Sequence, residues 1–132
     1  MVTSDRTEPL VLLVDDDHDQ RELVRELLEH AGYVVVARPN GMAALEYLRS
    51  DSERPSVIIT DLMMPEMRGD ELVLAIRAVP GSPLATIPVI VATASDTSGF
   101  KATGVDLVRK PIAPESLVAL VERLRKSDGP TG

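Results

Sequence analysis

Apolar residues along this chain fall into two kinds of run. Leu10-Val-Leu-Leu-Val14, Val57-Ile-Ile-Thr60 and Pro88-Val-Ile-Val-Ala92 are short and largely lack polar alternation, which predicts strands buried on both faces of a parallel sheet. Tyr33 to Ala37 and Leu107-Val-Arg109 read as two further strands. Between these blocks the apolar positions recur at three and four, the spacing of one helix face. The sets are Leu23, Val24, Leu27 and Leu28 within His18 to Ala31, then Ala44, Leu45 and Leu48, then Leu72, Ala75, Ile76 and Val79, and last Leu117, Leu120, Val121 and Leu124.

Punctuation residues set the ends. Asp17 followed by Gln20 resembles a capping box, Gly32 stands where a helix C′ residue belongs, and Asn40 suits an N-cap. Pro65 and Gly69 hold a loop open until Asp70 can cap the next helix, which Pro80-Gly81 then stops. Ala113, ahead of Pro114, has no side-chain acceptor for the cap position it occupies. Strand and helix alternate throughout, so the fold class is α/β, a doubly wound parallel sheet of five strands with helices on both faces.

At 132 residues the chain reads as one stand-alone domain, spanning 9–126, with polar, aperiodic tails at 1–8 and 127–132 expected to be flexible. No window has the apolar length of a membrane span and no signal pattern opens the chain, which predicts a cytoplasmic protein without a membrane partner. The absence of cysteine excludes disulfides, thiolate metal sites and cysteine nucleophiles. A formal charge of −7 argues against nucleic acid and toward a cation or another protein.

The chemistry lies where the strands end. The first runs into Asp15-Asp16-Asp17, the third into Asp61, the fourth is followed by Thr93 and the fifth by Lys110. All would reach the carboxyl edge of one sheet, where open α/β folds bind ligands. Crowded carboxylates raise one another's pKa unless a cation compensates. Hard oxygen ligands without soft ones point to Mg²⁺. A carboxylate beside Mg²⁺ and a lysine can attack phosphorus and form an acyl phosphate, with Lys110 and the Thr93 hydroxyl bonding the phosphoryl oxygens.

Val14-Asp15-Asp16-Asp17, Asp61-Leu-Met-Met-Pro65 with Gly69, Thr93-Ala94 and Lys110-Pro111 together resemble the receiver domain of two-component response regulators, in order and over nearly the whole chain. The resemblance implies a CheY-like, flavodoxin-like sheet of order 2-1-3-4-5 and a cis Lys110-Pro111 bond. It implies that Asp61 accepts a phosphoryl group from a sensor histidine kinase or phosphotransfer protein. Asp16 and Asp61 would ligate Mg²⁺ directly, the Met63 carbonyl would complete the protein ligands, and Asp15 would act through water. Thr93, moving inward, and Lys110 would bind the phosphoryl group. The kinase would dock on the first helix near His18, Arg21 and Val24, and the output would be contact with a downstream protein. Such a domain phosphorylates and dephosphorylates itself but turns over no separate substrate, and so is not an enzyme in the ordinary sense.

Three departures stand out. Leu107 occupies a fifth-strand position, three before the lysine, where many receivers carry an aromatic residue that swings inward with the threonine. Between Ala94 and Arg109 the sequence is short, rich in Ser, Thr and Gly, and without an apolar stripe, which predicts that the helix between strands four and five is stunted or absent. Met63 and Ser95 lie two after Asp61 and Thr93, where the family tunes attack by water. Methionine cannot orient a water by hydrogen bonding, so a long-lived phosphoryl group is expected. His18 and His30 read as surface helix residues, and Met63, Met64 and Met67 as loop packing.

Two rival readings fit parts of the sequence. An Asp-x-Asp after the first strand also fits a Mg²⁺-dependent phosphohydrolase of the haloacid-dehalogenase type, but that family expects Thr or Val where Asp19 stands. A receiver-like module signalling independently of phosphorylation would account for Leu107 but not for the complete set of Asp15, Asp16, Asp61, Thr93 and Lys110.

Overall fold

The computed structural model describes residues 9–50, 53–78, 81–94 and 104–127. Five parallel strands, β1 (Leu10–Val14), β2 (Val34–Arg38), β3 (Val57–Asp61), β4 (Val89–Thr93) and β5 (Asp106–Arg109), lie in the order β2-β1-β3-β4-β5. The helices are α1 (His18–His30), α2 (Gly41–Arg49), α3 (Gly69–Ile76) and α4 (Pro114–Ser127), with a 3-10 turn at Pro83–Thr86. Sheet order and helix count among the described residues agree with the sequence. The expected tails at 1–8 and 127–132, apart from Ser127, which belongs to α4, and most of the segment between β4 and β5 lie outside the described residues.

Strand periodicity sorts the core into two layers. Leu12, Val14, Ile58 and Val91 face α2 and α3 with Ala44, Leu45, Leu48, Leu72, Val73 and Ile76. Their neighbours Val11, Leu13, Val57, Ile59 and Ile90 face α1 and α4 with Leu28, Leu117 and Val121. Every residue of β1 and β4 is buried. Thr93, at the end of β4, is the one polar residue in the two strands.

Most predicted ends hold. Asp17 accepts from the Gln20 N–H at 3.1 Å and Asn40 from the Ala43 N–H at 2.8 Å. At the end of α1, Gly32 takes φ +102°, its N–H donates to Glu29 O at 3.0 Å, and the Tyr33 N–H reaches Leu28 O at 3.0 Å, the double bond pattern of a Schellman cap. The backbone N–H groups of Ser116 and Leu117 both donate to Ala113 O, so α4 starts without a side-chain cap from alanine.

Three expectations change. Gln20 does not complete a capping box, because its carboxamide turns to Lys110. Asp70 does not cap α3: the helix begins a residue earlier, at Gly69, with Arg68 at the N-cap position and its N–H bonded to Glu71 Oε1 at 2.9 Å. Asp70 is instead fully buried and takes both arms of the Arg68 guanidinium, at 3.0 and 3.2 Å. α3 also ends at Ile76 rather than reaching Val79. The Arg77 N–H closes the last turn on Val73 O, and the Arg77 side chain leaves for the carbonyls of Ile87 and Gly104.

Candidate functional site at the carboxyl edge of the sheet

In the order β2-β1-β3, the chain leaves β1 toward one side and later returns on the other, so a crevice opens between the ends of β1 and β3. Asp15 and Asp16 follow β1 directly and Asp61 is the last residue of β3. The register continues past the strands through Asp15 N–H to Arg38 O at 3.1 Å, Leu62 N–H to Ala92 O at 2.9 Å and Lys110 N–H to Thr93 O at 2.9 Å. Backbone pairing thus fixes where each side chain leaves the sheet.

Carboxylate oxygens of Asp15, Asp16 and Asp61 all lie within 4.8 Å of one another. Asp15 is buried, Asp16 is exposed and Asp61 is intermediate. Burial is the main cause that raises the Asp15 pKa above the ordinary 3.8; the negative charges of Asp61 and Asp16 add to it, while the Asp17 N–H, at 3.0 Å, and Lys110 oppose it. Lys110 meets Asp61 Oδ1 at 2.8 Å, and the Lys110-Pro111 bond is cis. The three carboxylates of this crevice face one lysine. Such a set of hard oxygens fits a small divalent cation such as Mg²⁺.

Thr93, the last residue of β4, is buried at 1% exposure. Met63 places its side chain outward, 48% exposed, with its sulfur 3.7 Å from an Arg68 nitrogen. Met64 is buried and Met67 packs against the α2 side of the core. Between these positions Glu66 adopts φ +71°, uncommon for a residue with a Cβ. Gly69 is required for a different reason: a Cβ there would stand 2.3 Å from the Asp61 carbonyl oxygen. His18 and His30 are exposed on α1. Leu107 is 41% exposed on β5.

A cleft of about 570 Å³ runs from Asp15, Asp61 and Lys110 between α1 and α4, walled by Leu23, Val24, Leu27, Ile112 and Leu117. Leu23 is 68% exposed at its rim. Two residues near the acidic cluster carry contacts that were not assigned from sequence. Gln20 Oε1 accepts from Lys110 Nζ at 2.6 Å, and the Arg21 guanidinium donates to the Asp15 carbonyl at 2.8 Å. The signal available for Gln20 was its place in the first turn of α1, directly after the acidic triplet.

The profile of the response regulator receiver domain matches residues 11–122. The chain belongs to this family. Receivers are in general signalling modules rather than enzymes with a separate substrate; they bind Mg²⁺ through acidic residues and work with histidine kinases or phosphotransfer proteins. An uncharacterized 14.6 kDa protein of Leptolyngbya boryana is 37% identical over 86% of this chain and 87% of its own length. The response regulator MprA of Mycobacterium ulcerans is 35% identical over 86% of this chain, which spans about half (49%) of that regulator. Among solved structures, the signal receiver domain of a signal transduction histidine kinase from Syntrophus aciditrophicus superposes with TM-score 0.80 at 33% identity, covering 94% of this chain and 95% of that one. The chemotaxis response regulator CheY4 of Vibrio cholerae gives 0.75 at 32% identity, covering 89% and 99%. Among the described residues, no helix of this receiver is long and apolar enough to cross a membrane.

Proposed function

We propose that this receiver is a phosphorylation switch whose acceptor is Asp61 and whose output is contact with another protein. The observation that carries the reading is the meeting of Asp61 Oδ1 with Lys110 Nζ at 2.8 Å inside a cluster of three carboxylates. An Asp61 oxygen attacks phosphorus, the new oxygen–phosphorus bond forms, and the bond from phosphorus to the donor histidine nitrogen breaks, the imidazole leaving with a proton. Asp16, Asp61 and the Met63 carbonyl would hold Mg²⁺ directly, with Asp15 acting through water. When bound, the ion would offset charge on the carboxylates and on the transferring group. Lys110 supplies the fixed positive charge on the protein side, and the Thr93 hydroxyl is the second donor to the phosphoryl oxygens.

The apolar cleft beside the site supports docking of the donor along α1, with exposed Leu23 at its entrance. Exposed, aliphatic Leu107 supports an output that does not use an inward-swinging ring. Incubation with Mg²⁺ and acetyl phosphate, read by intact mass and peptide mapping, should add one phosphoryl group on Asp61. Lack of uptake by the wild type, or unchanged uptake by Asp61→Asn, would overturn the reading. In the same assay the outward Met63 side chain predicts slow loss of the group; a lifetime of only seconds would contradict that part.

A further inference from the structure

The Lys110 ammonium is held from two sides. Asp61 Oδ1 lies at 2.8 Å and Gln20 Oε1 at 2.6 Å, a contact across ninety positions of sequence. Gln20 is itself fixed, since its backbone N–H donates to Asp17 Oδ1 and the Asp17 N–H donates to Asp15 Oδ1. Hydrogen bonds therefore run from the acidic turn through the first turn of α1 to the lysine and back to Asp61. Resting on the phosphorylation reading above, we propose that Gln20 is a positioning residue: it holds the Lys110 ammonium beside Asp61 in the orientation that an incoming phosphoryl group meets.

The chemistry of the amide explains why this residue type suits the role. A lysine stem has four flexible carbons, and fixing its end costs conformational freedom at the moment of reaction unless it is fixed beforehand. An ammonium has three donors. Asp61 and Gln20 engage two of them, leaving one for a phosphoryl oxygen among the described contacts. A carboxylate in place of the amide would add a fourth acid to the crevice and compete with Asp61 for the charge. An aliphatic side chain would leave Asp61 as the ammonium's anchor among the described contacts. A neutral acceptor holds the lysine without drawing its charge away.

The test uses Gln20→Met, which keeps the backbone N–H and side-chain length but has no strong acceptor. Acetyl phosphate with Mg²⁺ serves as donor, so that docking of a protein on α1 plays no part. The initial rate of Asp61 phosphorylation should fall about three- to tenfold, the range of a lost orienting contact, with the melting temperature unchanged. In a Lys110→Ala background the same substitution should have no further effect on rate. Equal rates for wild type and Gln20→Met would overturn the proposal, and so would an equal loss in both backgrounds, which marks a structural role. Should Gln20→Met fail to fold, Gln20→Ala is read in the same cycle with the same criteria. Failure of the wild type to take up phosphate on Asp61 would instead strike the phosphorylation reading itself.

Discussion

At the scale of single residues, two glycines show how backbone space near Asp61 is allotted. A Cβ on Gly69 would meet the Asp61 carbonyl oxygen at 2.3 Å and the Leu62 Cα at 3.1 Å, both backbone atoms. One on Gly41 would meet the Met67 sulfur at 2.6 Å, the far end of a flexible side chain that can move. Gly69→Ala should therefore cost roughly 1–3 kcal/mol, as overpacking does, and displace the backbone that carries Asp61. Gly41→Ala should cost clearly less. Urea titration of both variants checks the order, and a reversed order would show that the loop after β3 is softer than its packing implies. The need for glycine at 69 was legible as a family motif, but its reason was not. The sequence places Gly69 eight positions from Asp61, and only the folded loop sets it against that carbonyl. The role of Gln20 is hidden in the sequence for the same cause: a local cap accounts for its position, and only the fold brings Lys110, ninety positions on, beside it.

At the scale of elements, the joint between α1 and β2 is tied to α4. Tyr33 closes the Schellman cap through its N–H and buries its ring among Leu28 and Val121, while its hydroxyl donates to Glu122. Burial is the main cause that raises the Tyr33 pKa above the ordinary 10.0, the Glu122 hydrogen bond adding to it. The same bond is the main cause that lowers Glu122 below 4.5. A phenol with a raised pKa contributes stability that is present below pH 10.0 and lost as pH climbs through the raised value. A carboxylate with a lowered pKa contributes stability present above 4.5 and lost as pH falls through the lowered value. Tyr33→Phe should then cost about 0.5–1.5 kcal/mol, the net worth of one hydrogen bond, across the plateau between those limits and less outside it. In a Tyr47→Phe background, alkaline titration of the remaining phenol by absorbance should show ionisation above 10.0; a midpoint at or below that value would dissolve the tie. Element ends set by local rules, such as Asp17, Gly32 and Asn40, were legible in the sequence. α3 was not: Arg68 draws the buried Asp70 sideways, which frees Gly69 to open the helix early.

At the scale of the whole molecule, the fold concentrates acid where the sheet ends, and this sets stability against metal binding. β1, β3 and β4 can be read from the chain because they are buried and nearly all apolar, so the abrupt carboxylates mark the ends of β1 and β3, whereas β5, Asp106-Leu-Val-Arg109, is half charged and partly exposed. What the periodicity could not supply is the depth of Asp15, 5% exposed. Because its folded pKa is raised, chiefly by burial, the ionised form is disfavoured by folding. Asp15 therefore lowers stability once pH rises through its folded pKa, and the penalty is absent below the unfolded value of 3.8. Asp15→Asn keeps an oxygen to accept from the Asp17 N–H and removes the charge, so without divalent cations it should melt higher than wild type at neutral pH, by a margin that closes as pH falls toward 3.8. Added Mg²⁺ should reverse the ranking. A ligand that binds only the folded state stabilises by mass action, about 2.7 kcal/mol at a hundredfold excess over Kd, and the wild type has the more complete acidic cluster to gain it. Melting curves of both proteins with MgCl2, against NaCl at equal ionic strength, separate binding from charge screening. A crossing of the two stability curves as Mg²⁺ rises is the expected result; curves that stay parallel would mean that Asp15 takes no part in holding the ion.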